Sequence, residues 1–227
     1  MRLRGMVLII IAIFAIPASG RNLPKFWVGS SLGFNTYSMS DFNDYIDAFN
    51  AYYDVSIDKI STGMSYGLEA GVQLNSSFEG YIGYEGNSAS TKLQDVGGTL
   101  TFSYPIDVLF AGAQYTVWRV PRWGFGFAGD IGRMSVNGKE TEYINEWGGK
   151  SYAVSGDDIL LRGLIFADYR AGKVISISPS IGYRHAKMSE YRINGKVVHK
   201  ADGSNETLDY SGLIVRLTVK FILNPEK

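Results

Sequence analysis

Few residues of this chain could do chemistry, and its two histidines are the first to consider. His185 precedes Ser189 by four positions, so a general base and a hydroxyl nucleophile share one segment. In an extended strand the two side chains would share a face but lie about 13 Å apart, beyond hydrogen-bond reach. We therefore predict that His185 is a structural residue at the rim of the fold, near the end of its strand, and not a member of a catalytic pair.

Metal and cofactor chemistry has little support. Asp157 and Asp158 are adjacent acids that could contribute to a divalent-cation site, but two neighbouring carboxylates are weak evidence for one. The chain has no cysteine, and it contains no phosphate-binding loop or nucleophile elbow. We predict no catalytic residue, no metal site and no cofactor.

Many of the remaining charges alternate with apolar residues, most clearly in the segment 213–221. Side chains of a strand point to opposite faces with period two, and about nine to eleven residues suffice for a tilted strand to cross a bilayer. Arg216 and Lys220 fall on one face of this segment. The opposite face carries Leu213, Val215, Leu217, Val219 and Phe221.

The same two-faced pattern recurs along the chain, which predicts eight strands and an all-β fold. The other segments lie near 26–34, 64–74, 78–85, 98–118, 125–131, 161–169 and 175–183. Short polar connections would occupy 75–77, 119–122 and 171–173. Longer ones would occupy roughly 36–60, 87–98, 137–157 and 193–207. An even strand number, with short turns at one end and long loops at the other, is typical of outer-membrane barrels.

The segment 98–118 allows two interpretations, because its apolar residues change from even to odd positions near Tyr104 and Pro105. It could form two strands joined by a turn, or one long strand with a bulge at the proline. Two strands here would give an odd number of strands in total. They would also place the long connection 137–157 at the same end of the barrel as the short turns. We therefore expect one strand with a bulge.

The charged face decides between a soluble barrel or sandwich and a membrane barrel. Charges that recur on one face of so many strands would have to lie inside a small lipid-embedded barrel, where acids and bases can pair. We expect such a network from Glu69, Glu79, Glu85, Asp130, Arg162, Asp168, Arg184, Arg216 and Lys220. In an open sandwich the same residues would form a wet face.

Aromatic residues near the strand ends favour the membrane environment, where two girdles mark the interfaces. Trp118, Trp123, Tyr169 and Phe221 would lie at the short-turn end, and Tyr84 and Tyr183 near the other end.

The N-terminus predicts export. Arg2 and Arg4 precede an apolar run that ends at Pro17, and small residues follow. This is the composition of a secretory signal peptide, and the run is too short for a spanning helix of about 20 residues. We predict a signal peptide over 1–20 and one barrel domain over 21–227. The 22 basic and 22 acidic residues give no basic bias toward nucleic acid.

The first long loop should contain a short helix. Phe42, Tyr45, Ile46 and Phe49 recur at helical spacing, with Ser40 as the expected N-cap. The helix could pack over the barrel mouth or present a surface to a ligand, lipopolysaccharide or a partner. We favour packing.

The repeated amphipathic strands and the closing strand with Phe221 resemble the small outer-membrane β-barrel family that includes OmpX, OmpW and the opacity-type proteins. This resemblance implies an eight-stranded antiparallel up-and-down transmembrane barrel in the bacterial outer membrane. It further implies a monomer that contacts outer-membrane lipids and lipopolysaccharide and depends on the barrel-assembly machinery. The chain departs from the family by continuing six residues past Phe221.

Function is expected to be non-enzymatic, as a structural or surface-interaction protein acting through long extracellular loops. The OmpW resemblance suggests an alternative, a narrow channel or lateral passage for small hydrophobic molecules. A lipid-modifying enzyme comes third. The segment after His185 is similar to the His-x-Ser arrangement of lipid A deacylases, but Lys187 stands where that family has its serine.

Overall fold

In the computed structural model, residues 24–95, 98–144, 148–200 and 202–223 are described. The elements in chain order are β1 (Lys25–Thr36), α1 (Ser40–Tyr53), β2 (Thr62–Gln73), β3 (Phe78–Asn87), β4 (Ser90–Asp95), β5 (Gly98–Ser103), β6 (Ile106–Val120), β7 (Trp123–Ile144), β8 (Gly148–Arg170), β9 (Ile175–His185), β10 (Lys187–Met188), β11 (Tyr191–Ile193), β12 (Lys196–Val197), β13 (Leu208–Asp209) and β14 (Gly212–Ile222). The signal peptide predicted over 1–20 lies outside the described residues.

Eight of these strands close into an antiparallel barrel, which confirms the predicted fold class. Their order is β1, β2, β3, β6, β7, β8, β9 and β14. The barrel closes where β1 pairs with β14, with Val28 opposite Phe221 and Phe34 opposite Val215. Each of the eight strands pairs antiparallel with a neighbour on both sides, so none of them is left as an unpaired edge.

The two ends of the barrel differ as the sequence predicts. At the short-turn end, β2 and β3, β6 and β7, and β8 and β9 are connected by a few residues each. Asn75 stabilises the first of these turns, because its Oδ1 accepts hydrogen bonds from the backbone N–H groups of Ser77 and Phe78. The opposite end, which we call the loop end, carries α1 and the remaining short strands.

The interpretation of 98–118 as one strand bulged at the proline is wrong. Residues 98–103 and 106–120 are separate strands, and β5 pairs with β7 beyond the barrel wall. The bulge lies instead at Val117, where the register of β6 against β7 shifts between Thr116 and Trp118. The barrel keeps eight strands because β4 and β5 form an extra hairpin at the loop end. The segment 87–98 is therefore not a plain loop.

The prediction of a long loop over 137–157 is also wrong. β7 and β8 continue as a paired hairpin from Trp123 opposite Tyr169 up to Ile144 opposite Gly148. The outward residues there are polar, so the sequence looks like a loop. Main-chain pairing and inward apolar residues such as Val136 and Val154, both buried, hold the ladder together.

The alternation inverts along these two strands. On β7, Phe127 and Ile131 are exposed on the outer face, and the next outward residue is Arg133. Beyond that point the apolar residues point inward, as Met134 does with none of its surface exposed. This inversion is the pattern expected where a strand leaves lipid and enters water.

At the loop end, a layer of structure fills the barrel mouth. We call this layer the cap, and it comprises α1, β4, β5, β10 to β13 and the parts of β7 and β8 beyond Arg133 and Asp157. Among the described residues, no helix is long and apolar enough to span a membrane.

Helix α1 begins one residue earlier than expected. Met39 occupies the N-cap in the left-handed region, with φ of 44°, and no side chain caps the helix there. Ser40 is therefore the first helical residue and not the N-cap. Met39 is fully buried, so its side chain is packed in the interior even though its backbone is in the left-handed region.

Candidate functional site

The nine charged residues expected in the lumen all lie on the inner face of the barrel. Eight of them are buried, and the side chain of Asp168 leaves only 13% of its surface exposed. Each of the nine takes part in an ion pair. The set therefore forms a continuous charged filling in the part of the barrel below the cap.

Arg162 is the centre of this filling. Its Nη1 lies 2.5 Å from Oε2 of Glu85, and its Nε lies 3.0 Å from Oδ1 of Asp130. Tyr81 donates its hydroxyl to Asp130 at 3.2 Å. The guanidinium also stacks over Phe110, 4.7 Å from the ring centroid. Buried ions of this kind are stable only when their partners are positioned to satisfy them.

A second cluster lies toward the cap around Arg184. Its Nη1 donates to Oδ1 of Asn87 at 3.0 Å and lies 3.7 Å from Oε1 of Glu85. Its Nε donates to the backbone oxygen of Tyr210 at 3.1 Å. Asn35 donates to the same oxygen of Asn87 at 2.9 Å. Asn35 and Asn87 lie near the ends of their strands, and Asn87 shares the inward parity of Glu85, which is the signal that could have identified it.

The remaining charges pair toward the short-turn end. Arg216 contacts Glu69 at 2.8 Å. Lys220 lies 3.4 Å from Glu79, donates to Gln114 at 3.2 Å and lies 3.8 Å from Asp168. Together with the clusters of Arg162 and Arg184, these contacts cross-link strands from opposite sides of the barrel.

Glycines make room for the inward rings of this interior. A Cβ at Gly71 would lie 2.5 Å from the ring of Trp27, and a Cβ at Gly83 would lie 2.5 Å from Phe110. Lys220 lies 4.6 Å from the centroid of the Trp27 ring. The lumen therefore accommodates both ions and the aromatic faces that stabilise them.

The cap has an apolar core built on α1. Phe42 and Ile46 are buried there, and Phe42 packs edge-on against Phe102 and Tyr104 at 5.3 and 5.0 Å between centroids. Phe49 is partly buried, whereas Tyr45 leaves 48% of its surface exposed. The predicted helix residues thus divide between a face in the mouth and a face that borders a groove.

Two side chains in the first turn of α1 hold the helix in the mouth. Asn43 exchanges two hydrogen bonds with the backbone of Ile60, at 3.0 and 3.1 Å. Asp41 accepts hydrogen bonds from Thr207 and pairs with Lys200 at 2.9 Å. Although burial opposes it, the hydrogen bonds from Lys200 and Thr207 lower the pKa of Asp41.

The aromatic residues predicted as girdles lie on the outer face. Trp118, Trp123 and Phe221 are exposed near the short-turn end, and Trp123 packs against Tyr169 at 4.8 Å. Tyr84 and Tyr183 are exposed toward the loop end. The hydroxyl of Tyr84 donates to Asp107, close to where the outer face becomes polar.

The residues considered for catalysis or metal binding are separated. Ser189 donates its hydroxyl to Asp158 at 3.1 Å rather than to His185, which is exposed on the outer face. Asp157 pairs with Arg133 at 3.0 Å, and Asp157 and Asp158 both lie within β8. No group of three or more metal-ligating side chains occurs in the described ranges.

Comparison with known proteins supports the fold. Neither a protein-family model nor a curated protein matches the sequence. A major outer membrane protein from Thermus thermophilus is similar in structure, with a TM-score of 0.54 and 12% identity over 89% of this chain and 100% of that one. Neisserial surface protein A has a TM-score of 0.46 and 11% identity over 88% and 99% of the two chains. OprG from Pseudomonas aeruginosa has a TM-score of 0.46 and 12% identity over 88% and 96%.

Proposed function

We propose that this chain, which has the fold of small outer-membrane β-barrel proteins, is a closed and non-enzymatic protein of the bacterial outer membrane that acts through its cap on the cell surface. In this proposal the exposed apolar band contacts lipid and lipopolysaccharide. The chain is inserted as a monomer by the barrel-assembly machinery after removal of a signal peptide. The cap is then the polar surface that faces the cell exterior.

The observation that carries this proposal is the double filling of the barrel. An eight-stranded barrel is just wide enough for its inward side chains. Here ion pairs fill the membrane part, and the fully buried Ile46 and Met39 belong to the apolar core that fills the mouth. A solute crossing the barrel would have to displace both layers.

Two rival functions have less support. A passage for small hydrophobic molecules needs an open route, and α1 is held in the mouth by Asn43 and Asp41. An enzyme needs a nucleophile beside its base, and Ser189 contacts Asp158 instead of His185. The passage is tested by the conductance measurement that follows.

Reconstitution into planar bilayers tests whether the barrel is closed. We expect no stable single-channel current from purified protein under conditions in which a general porin conducts. Liposome swelling with small sugars should likewise be absent. A stable conductance that disappears when α1 is cross-linked to the wall would support the passage instead.

Cysteine labelling tests the orientation, and the chain offers a clean background because it has no cysteine. Tyr52 in the cap is 82% exposed, and Lys173 in the last short turn is also exposed. On intact cells, a membrane-impermeant maleimide should label Tyr52→Cys and not Lys173→Cys. Both variants should react after lysis. Labelling of Lys173→Cys alone on intact cells would show that the cap faces the periplasm.

A further inference from the structure

A groove runs across the cap between α1 and the sheet formed by β5, β7 and β8. Its volume is about 440 Å³, within the range of roughly 300 to 1,000 Å³ that holds small ligands. One wall consists of Tyr45, Phe49 and Tyr53, which recur every four residues on the same side of the helix. The rings of Phe49 and Tyr53 lie 4.6 Å apart. The wall is therefore a continuous aromatic surface.

The floor of the groove places a carboxylate between two aromatic residues. Glu140 lies opposite Phe102 on β5 and opposite Tyr152 on β8, so these three side chains form one row across the sheet. Glu142 follows two residues later on the same strand and also lines the groove. Tyr45 packs edge-on against Phe102 at 6.3 Å, which joins the wall to the floor.

The charge of the floor has no basic partner among the described lining residues. Glu140 accepts a hydrogen bond from the hydroxyl of Tyr104 at 2.5 Å, which is a neutral donor. Lys150 lies opposite Glu142 in the β7–β8 ladder, but it is exposed and no ion pair joins the two in the described part of the chain. Burial raises the pKa of Glu140 and so opposes its ionisation. The pKa of Tyr45 is raised first by burial and then by the negative charges of Glu140 and Glu206. The groove therefore has a negative potential as well as aromatic faces.

We propose that this groove binds an organic cation, an alkylammonium group carried on an apolar body. Aromatic faces attract a cation through their quadrupole, and a carboxylate between two rings adds a full opposite charge. The occupant would stack against the α1 wall and place its ammonium group over Glu140 and Glu142. The proposal specifies a ligand class for the cap surface described above, and so it rests on the proposed function for its setting outside the cell.

The test uses choline and its uncharged isostere 3,3-dimethylbutanol, which differ in charge and hardly in shape. Binding is measured by calorimetry or saturation-transfer NMR with the full chain in uncharged maltoside micelles. We expect saturable binding of choline that is at least about tenfold tighter than binding of the isostere.

Matched variants locate the site. Glu140→Gln and Tyr45→Ala should each weaken choline binding about five- to tenfold. Their controls are Glu190→Gln, an exposed carboxylate paired with Arg192, and Tyr115→Ala, an exposed aromatic residue on the outer face of the barrel wall. Both controls should bind as the unaltered protein does. Glu142→Gln serves as a second floor variant if Glu140→Gln fails to fold.

Equal affinity for choline and its isostere would overturn the proposal, because the groove would then be merely apolar. Equal losses in Tyr45→Ala and Tyr115→Ala, or no saturable binding at all, would overturn it as well. Since the measurement uses purified protein, it does not depend on orientation. Cysteine labelling and conductance decide the proposed function independently of this result.

Discussion

The lower and upper halves of this barrel are filled in opposite ways by the same strands. Below Arg133, the inward positions of β7 and β8 carry charges such as Asp130 and Arg162, and the outward positions carry apolar residues. Above it, the buried inward positions include the apolar Met134, Val136 and Val154, and most outward positions are polar. The medium outside the wall decides which residues point inward, because lipid accepts apolar side chains and water accepts polar ones.

The two halves should also differ in how they fail. The lower half depends on a few ions that each need specific partners, so loss of one partner leaves a buried charge. The upper half depends on apolar packing of α1, where a truncation leaves a cavity and the rest can relax around it. Three measurements test this difference between the two halves.

The largest effect is expected from Arg162→Met. This change leaves Asp130 buried without its ion-pair partner and leaves Glu85 with only the more distant Arg184, so it should destabilise the whole barrel by about 3 to 5 kcal/mol. Urea unfolding in lipid vesicles, followed by tryptophan fluorescence, measures the loss. Neutralising the cluster with the additional changes Glu85→Gln and Asp130→Asn should recover much of it.

The control for that experiment is Arg133→Met, which removes an exposed ion pair to Asp157. Exposed pairs contribute only about 0 to 1 kcal/mol. If Arg162→Met costs no more than this control, the charged interior is not what holds the lower half together.

A smaller and local effect is expected from Ile46→Ala in the cap core. Truncation of a fully buried isoleucine costs about 2 to 5 kcal/mol, and here the loss should be confined to the cap. Hydrogen exchange should increase in α1 and β5 while the barrel strands stay protected. Tyr52→Ala, on the exposed side of the helix, should change nothing. Faster exchange throughout the barrel would show that the two halves unfold together.

The smallest effect concerns pH and the carboxyl group of Glu140. Burial raises its pKa in the folded protein above the ordinary value of 4.5, although the Tyr104 hydroxyl opposes the shift. The stabilising contribution of the protonated carboxyl group is fully present at pH values below 4.5. It is lost as the pH rises through the pKa of this group in the folded protein. At neutral pH the charged group therefore costs stability.

Replacement by glutamine isolates this contribution, since Glu206 and Asp41 titrate in both proteins. Relative to Glu140→Gln at each pH, the unaltered cap should become more protected against hydrogen exchange as pH falls from neutrality toward the ordinary pKa of 4.5. A difference between the two proteins that does not vary with pH would contradict a raised pKa.

The membrane half of this molecule could be predicted largely from its amino-acid pattern. Period-two alternation is strong where one face meets lipid, so eight strands, the short turns and the inward charges could be predicted. The sequence predicts which charges point inward, but it does not predict which acid pairs with which base. That Arg162 lies between Glu85 and Asp130, residues distant in the chain, depends on the register of strands closed into a barrel.

The cap, in contrast, could be recognised only in the folded protein. Its strands have polar outward faces, so the hairpin β4–β5 and the extensions of β7 and β8 resemble loops in sequence. The sequence suggests a bulge at Pro105 because the apolar residues change from even to odd positions there. In the structure, the chain leaves β5 in the cap at this point and enters the barrel wall as β6. The groove with Glu140 between Phe102 and Tyr152 arises from three strands and a helix packed together, and no local pattern brings those residues to one place.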